Sequence, residues 1–189
     1  GPKVTYVSEA TGVALREVIV DFVVTQSSGE EGTTAAKVDI VLSAGSNKNV
    51  TVEYAVTGGT AVRGKNYDLK DGSLTFRPGE TVKTIEISIK ANGADEPDRT
   101  IEVSLRSPKG AVLGGTAVHT YTIMDSDPEP AVTFLTAGQQ VKEIAGSVTI
   151  GVELSAVSGW DVAIPLMMSG TARMPGNYTM PSGPVVIKA

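Results

Sequence analysis

Apolar and polar residues alternate along most of this chain with a period of two, the mark of strands whose two faces meet different surroundings. In residues 37–43 (KVDIVLS), Val38, Ile40 and Leu42 face one way and Lys37, Asp39 and Val41 the other. Residues 50–56 (VTVEYAV) repeat the pattern through Val50, Val52, Tyr54 and Val56, and residues 81–90 place Val82, Ile85, Ile87 and Ile89 largely on one face. Further strands are predicted over residues 3–7, 15–25, 73–76, 100–106 and 117–124. No window of a dozen residues keeps a helical period; residues 10–21 come nearest, but Val18-Ile19-Val20 followed by Phe22-Val23-Val24 reads as strand.

Between these stretches the residues are turn formers. Residues 26–34 (QSSGEEGTT) are polar and glycine-bearing, hence a predicted loop, and residues 91–98 (ANGADEPD) form an acidic loop. Arg77-Pro78-Gly79-Glu80 is a tight turn, with proline presetting φ and glycine accepting a positive φ. Residues 125–130 (DSDPEP) combine two prolines and three acids, which stop a sheet and begin a linker.

After that linker the pattern restarts. Gly170-Thr171-Ala172 and Asn177 repeat Gly59-Thr60-Ala61 and Asn66 at an offset of 111 residues. At the front, PAVTFL from Pro130 echoes PKVTYV from Pro2 at an offset of 128, which predicts an insertion around residues 14–36 of the first copy. A period of this length means two similar domains rather than a short-repeat solenoid. The expected division is a first domain over residues 1–127, a linker over 128–130 and a partial second domain over 131–189. The second copy stops after the counterpart of residues 73–76, so strands from further along a longer chain or from elsewhere are expected to complete it. Six or more short strands per copy, separated by turns, predict an all-β sandwich.

Composition narrows the function. The net charge of −5 argues against nucleic acid and anionic membrane as partners. There is no cysteine, hence no disulfide or thiolate metal site, and no apolar run long enough for a transmembrane segment. The single histidine, His119 on a strand face, comes without a nucleophile elbow, so no Ser-His-Asp triad is indicated; it reads as structural, and no enzyme is expected. Tyr67 and Tyr178, after the corner asparagines, read as structural rings, and Met167, Met168, Met174 and Met180 as soft core packing. Trp160 falls in a predicted turn, where an exposed ring could stack on a sugar or a protein.

The corner GTAVRGKNYDLKDGSLTFRPGE (from Gly59), the alternating strand after it, the acidic loop, TIEVSL, PKGAVLG and TYTIMDSD together resemble the Calx-beta family. The resemblance covers residues 38–127, with residues 131–187 as a truncated second copy. It implies an immunoglobulin-like antiparallel β-sandwich, found in sodium–calcium exchangers, adhesion and matrix proteins and bacterial surface proteins. In calcium-binding members, carboxylates gather at one end of the sandwich. The positions matching that pattern here are Asp125 and Asp127, Glu96 in the acidic loop, Asn66 where the family has Asp, and Glu30 or Glu31 at the front. Calcium wants six to eight oxygens, and Asn66 could give only a neutral one.

The resulting expectation is a non-catalytic structural or adhesion-type module of a larger extracellular or cell-surface protein, meeting a protein or glycan there. A calcium-binding regulatory module is the first alternative, and a carbohydrate-binding arm resting on Trp160 the second.

Overall fold

The computed structural model describes residues 17–189. The predicted strand over residues 3–7 lies outside them, as does the start of the one over 15–25.

The first copy has eleven strands, ten of which build two five-stranded sheets packed face to face. They are β1 (Ile19–Phe22), β2 (Gln26–Glu30), β3 (Ala36–Leu42), β4 (Val50–Gly58), β5 (Tyr67–Asp68), β6 (Gly72–Phe76), β7 (Val82–Ile89), β8 (Ala94–Asp95), β9 (Arg99–Lys109), β10 (Val112–Leu113) and β11 (Val118–Met124). One sheet has the order β10-β1-β3-β7-β5 and the other β2-β11-β9-β4-β6; β8 stands apart from both. Pairing is antiparallel except at two edges, where β1 meets β10 and β2 meets β11 in parallel. This is the immunoglobulin-like β-sandwich.

The alternation read from the sequence fills the space between the sheets. Val38, Ile40 and Leu42 from β3, Ile85, Ile87 and Ile89 from β7, and Ile101, Val103 and Leu105 from β9 are all buried. Along β4 the predicted phase holds: Val50 and Val52 are buried, Tyr54 and Val56 pack half-buried against the same core, and Ala55 is buried on the other face, opposite Ser104. The irregularity lies on the facing β9, where Pro108 has no N–H for the ladder and Ser107 takes φ 50°. Thr51 pairs with Lys109 and Glu53 with Arg106, so three residues of β9 run against two of β4.

Two expectations change here. Residues 15–25 were expected to form one strand, but β1 ends at Phe22 and the chain crosses to the other sheet. Residues 26–34 were expected to be a loop, yet Gln26–Glu30 is an edge strand, aligned from Gln26 opposite Thr120 to Glu30 opposite Met124. An edge strand needs backbone pairing and little apolar surface, so its composition reads as loop. His119 is structural, as expected: it is buried against Phe22, with one ring nitrogen 2.8 Å from Ser27 Oγ and the other 2.8 Å from the Val24 carbonyl.

The second copy contributes β12 (Val132–Phe134), β13 (Val152–Leu154), β14 (Val157–Ser158), β15 (Val162–Ile164) and β16 (Val185–Ile187). Val132 pairs with Leu154 and Phe134 with Val152, as Val20 pairs with Leu42 and Phe22 with Ile40. Every one of these positions is shifted by 112 residues, so β12 pairs with β13 as β1 pairs with β3; residues 4–6, which resemble β12 by letter, lie outside the described residues. Met167, Met168 and Met174, expected to pack a core, are exposed. The strands that would cover them, counterparts of β7, β9 and β11, do not occur among the described residues.

Candidate metal centre

Parallel pairing decides what meets at one end of the sandwich. Because β2 and β11 run the same way, the residues that follow them emerge together. The Glu31 amide donates to the Met124 carbonyl at 3.0 Å, which fixes Glu31 beside Asp125. An antiparallel pair would have sent the two to opposite ends. Carboxylate oxygens of Glu31, Asp125 and Asp127 all lie within 4.8 Å of one another, the one such acidic group among the described residues. Asp98 holds Asp125 in place by accepting its backbone N–H at 3.0 Å, and the Asn92 side-chain amide donates to Glu31 Oε2 at 2.8 Å.

No lysine or arginine pairs with these three carboxylates among the described residues, although Lys90 and Arg99 line the adjoining recess. Glu31 Oε1 and Asp127 Oδ2 are buried with no hydrogen-bond partner among the described residues. Two ionised carboxylates offer each other only acceptors, so the pair needs a shared proton or a cation. The electrostatics agree: burial first, then Asp127 and Asp125, push the Glu31 carboxyl up from 4.5 to about 7, against the Asn92 hydrogen bond. A hard divalent cation suits a donor set made of oxygens and carrying three negative charges.

The other sequence candidates sit close by in different roles. Glu96 lines the adjoining recess with Glu31, Asn66 and Asp125. Its carboxylate already binds the Lys65 ammonium at 2.9 Å and the Arg99 guanidinium at 3.2 Å. Lys65 above all holds the Glu96 carboxyl below its ordinary range. Asn66 is buried, and its Oδ1 accepts the Val62 N–H at 2.8 Å, closing the corner. Asn177 repeats that bond in the second copy, to the Arg173 N–H at 2.8 Å. In both copies the asparagine locks a turn. Glu30 is the last residue of β2 and exposed, one position out of phase with the cluster. Sequence reasoning missed Lys65 and Arg99; the signal was their spacing, in the corner next to Asn66 and three residues after Glu96.

The model of the Calx-beta domain family matches residues 15–127 and again 125–188. Bovine sodium/calcium exchanger 1 is 28% identical over 143 residues, 66% of this chain and 15% of the exchanger's length. Zebrafish adhesion G-protein coupled receptor V1 is 32% identical over 108 residues, 56% of this chain and 2% of the receptor. The chain thus spans a small part of these relatives. In three dimensions the apo-form Calx CBD1 domain aligns with a TM-score of 0.56 at 24% identity, covering 59% of this chain and 99% of that domain.

Proposed function

The chain belongs to the Calx-beta family, and from that premise we propose that it is a non-catalytic regulatory module whose first copy binds calcium through Glu31, Asp125 and Asp127. The observation that carries this reading is the pair of buried oxygens, Glu31 Oε1 and Asp127 Oδ2, facing a third carboxylate with no positive group among them. Bound calcium supplies the missing charge. Glu31 and Asp127 would hold it with Asp125, while Asp98 and Asn92 keep two of those carboxylates oriented. Glu96 stays with Lys65 and Arg99, so its charge is spent within the protein. Regulation would act through the residues following β2 and β11, which the ion ties together beside the linker to the second copy.

The test is thermal unfolding of EDTA-treated protein. Millimolar calcium should raise the midpoint, since a ligand bound only by the folded state stabilises it by mass action. Asp127→Asn should abolish the shift. An unchanged midpoint in the parent protein would remove the reading.

A structural, adhesion-type role in a cell-surface or secreted protein is the second reading. It draws on the tandem arrangement and on the likeness to an adhesion receptor. The two readings are compatible, since a spacer stiffened by calcium serves both. Among the described residues no helix is long and apolar enough to cross a membrane.

A further inference from the structure

We propose that the groove between the two copies is a docking site for a cationic side chain, a guanidinium or an ammonium, presented by a peptide. The groove is built by strand addition. Val157 and Ser158 of β14 pair in parallel with Ala94 and Asp95 of β8, and the Gly159 N–H donates to the Asp95 carbonyl at 2.8 Å. Only glycine permits this approach, because a Cβ there would lie 2.6 Å from Glu96 Cγ and 3.1 Å from the Asp95 carbonyl oxygen. The next residue is Trp160, whose backbone N–H donates to the buried Ser158 Oγ at 3.1 Å.

The consequence is an exposed indole opposite acid. Trp160 is 52% exposed, and it lines a groove of about 490 Å³ together with Pro130, Asp95, Glu129 and Asp161. No lysine or arginine lines that groove. Asp161 is already paired with the Lys188 ammonium at 2.5 Å, so its charge is met within the protein. Asp95 and Glu129 have no ion-pair partner among the described residues.

An aromatic face beside carboxylates is the recognition chemistry of a cation with an aliphatic stem. The ring attracts positive charge through its quadrupole, and the carboxylates accept the N–H donors. A neutral sugar could stack on the ring, but it would cover Asp95 and Glu129 without neutralising them. Charge complementarity therefore selects the cation. This inference does not depend on calcium, since none of Asp95, Glu129 and Trp160 belongs to the acidic cluster.

Trp160 is the only tryptophan, so its fluorescence reports the groove directly. The probe is acetyl-Gly-Arg-Gly-amide titrated into EDTA-treated protein at low salt, with the citrulline peptide as its neutral isostere. The expected result is a saturable change with the arginine peptide, at least tenfold weaker with the citrulline peptide and in the Asp95→Asn, Glu129→Gln double variant. Glu129 is exposed, so Glu129→Gln by itself keeps the test valid if the double variant loses its fold; it should weaken binding by at least threefold. No saturable change, equal response to citrulline, undiminished binding in Glu129→Gln, or a response to an uncharged oligosaccharide and not to the arginine peptide would each overturn the proposal.

Discussion

The two copies share a strand register and differ in everything that register is meant to secure. Phe22 is 2% exposed and its counterpart Phe134 is 66% exposed; Val38 is 2% exposed and its counterpart Ile150 is 58% exposed. The same pairs of strands, with apolar residues at the same positions, end up inside one copy and outside the other. Local pairing therefore needs only two strands, whereas burial needs the sheet opposite. In the first copy that sheet comes from β4, β9 and β11, and β7 completes the nearer one. The acidic cluster obeys the same logic. Glu143, the first residue of the short helical turn Glu143–Ala145, occupies the register position of Glu31, but among the described residues no counterpart of β11 brings aspartates to it. The candidate cation site is thus a product of closing the sandwich.

Core truncation should break the comparison most visibly. Phe22→Ala removes a ring packed against His119 and should cost about 3–5 kcal/mol in chemical denaturation. Phe134→Ala, at the matching exposed position, should change stability by no more than ~0.5 kcal/mol. Equal costs would show that the second copy has a core of its own.

Calcium should act on the first copy and leave the second alone. At a hundredfold excess over its dissociation constant it should add about 2.7 kcal/mol to the first copy's unfolding free energy. Hydrogen exchange would localise the effect: slower exchange after β2 and β11, and no change over residues 131–189.

Acid should mimic calcium weakly. The Glu31 carboxyl is raised from 4.5 to about 7, so the folded state holds this proton more tightly than the unfolded chain. Stability of the calcium-free protein should therefore be higher near pH 5 and fall as pH rises to 7, by roughly 1–2 kcal/mol after allowance for solvent screening. Glu31→Gln should flatten that slope and stabilise the calcium-free form while abolishing calcium binding. A slope that survives the substitution would place the titrating group elsewhere.

The smallest effect is expected at the junction. Gly159→Ala sets a Cβ against Glu96 and the Asp95 carbonyl and should detach β14 from β8. Exchange at the Gly159 amide should speed up, with the first copy's unfolding free energy altered by less than ~1 kcal/mol.

What the sequence made legible follows a physical line. Where one face of a strand is buried, as in β3 and β7, alternation locates the element and its inner residues. Where the strand is an edge, its form depends on its partner. Residues 26–30 are a strand because β11 lies beside them, and residues 138–142, at the same register, form none. That dependence also hid the choice between Glu30 and Glu31, because one residue of phase turns a side chain to the other face. The front of the repeat has two matches for a related reason. PKVTYV matches PAVTFL by letter, but a period-two pattern is degenerate, and pairing with β3 and β13 gives Val20–Phe22 the register of Val132–Phe134. Asp125 and Asp127 were legible from the family resemblance. The withdrawal of Glu96 into pairs with Lys65 and Arg99 was not, since it depends on a distance of 31 residues along the chain being closed to 2.9 Å.

Calorimetric titration of calcium into EDTA-treated protein tests the central claim most directly. The account predicts saturable heat at a stoichiometry of one, lost in Asp127→Asn and unchanged in a chain whose Glu143 is replaced by Gln. A flat trace, or heat that persists in Asp127→Asn, would contradict it.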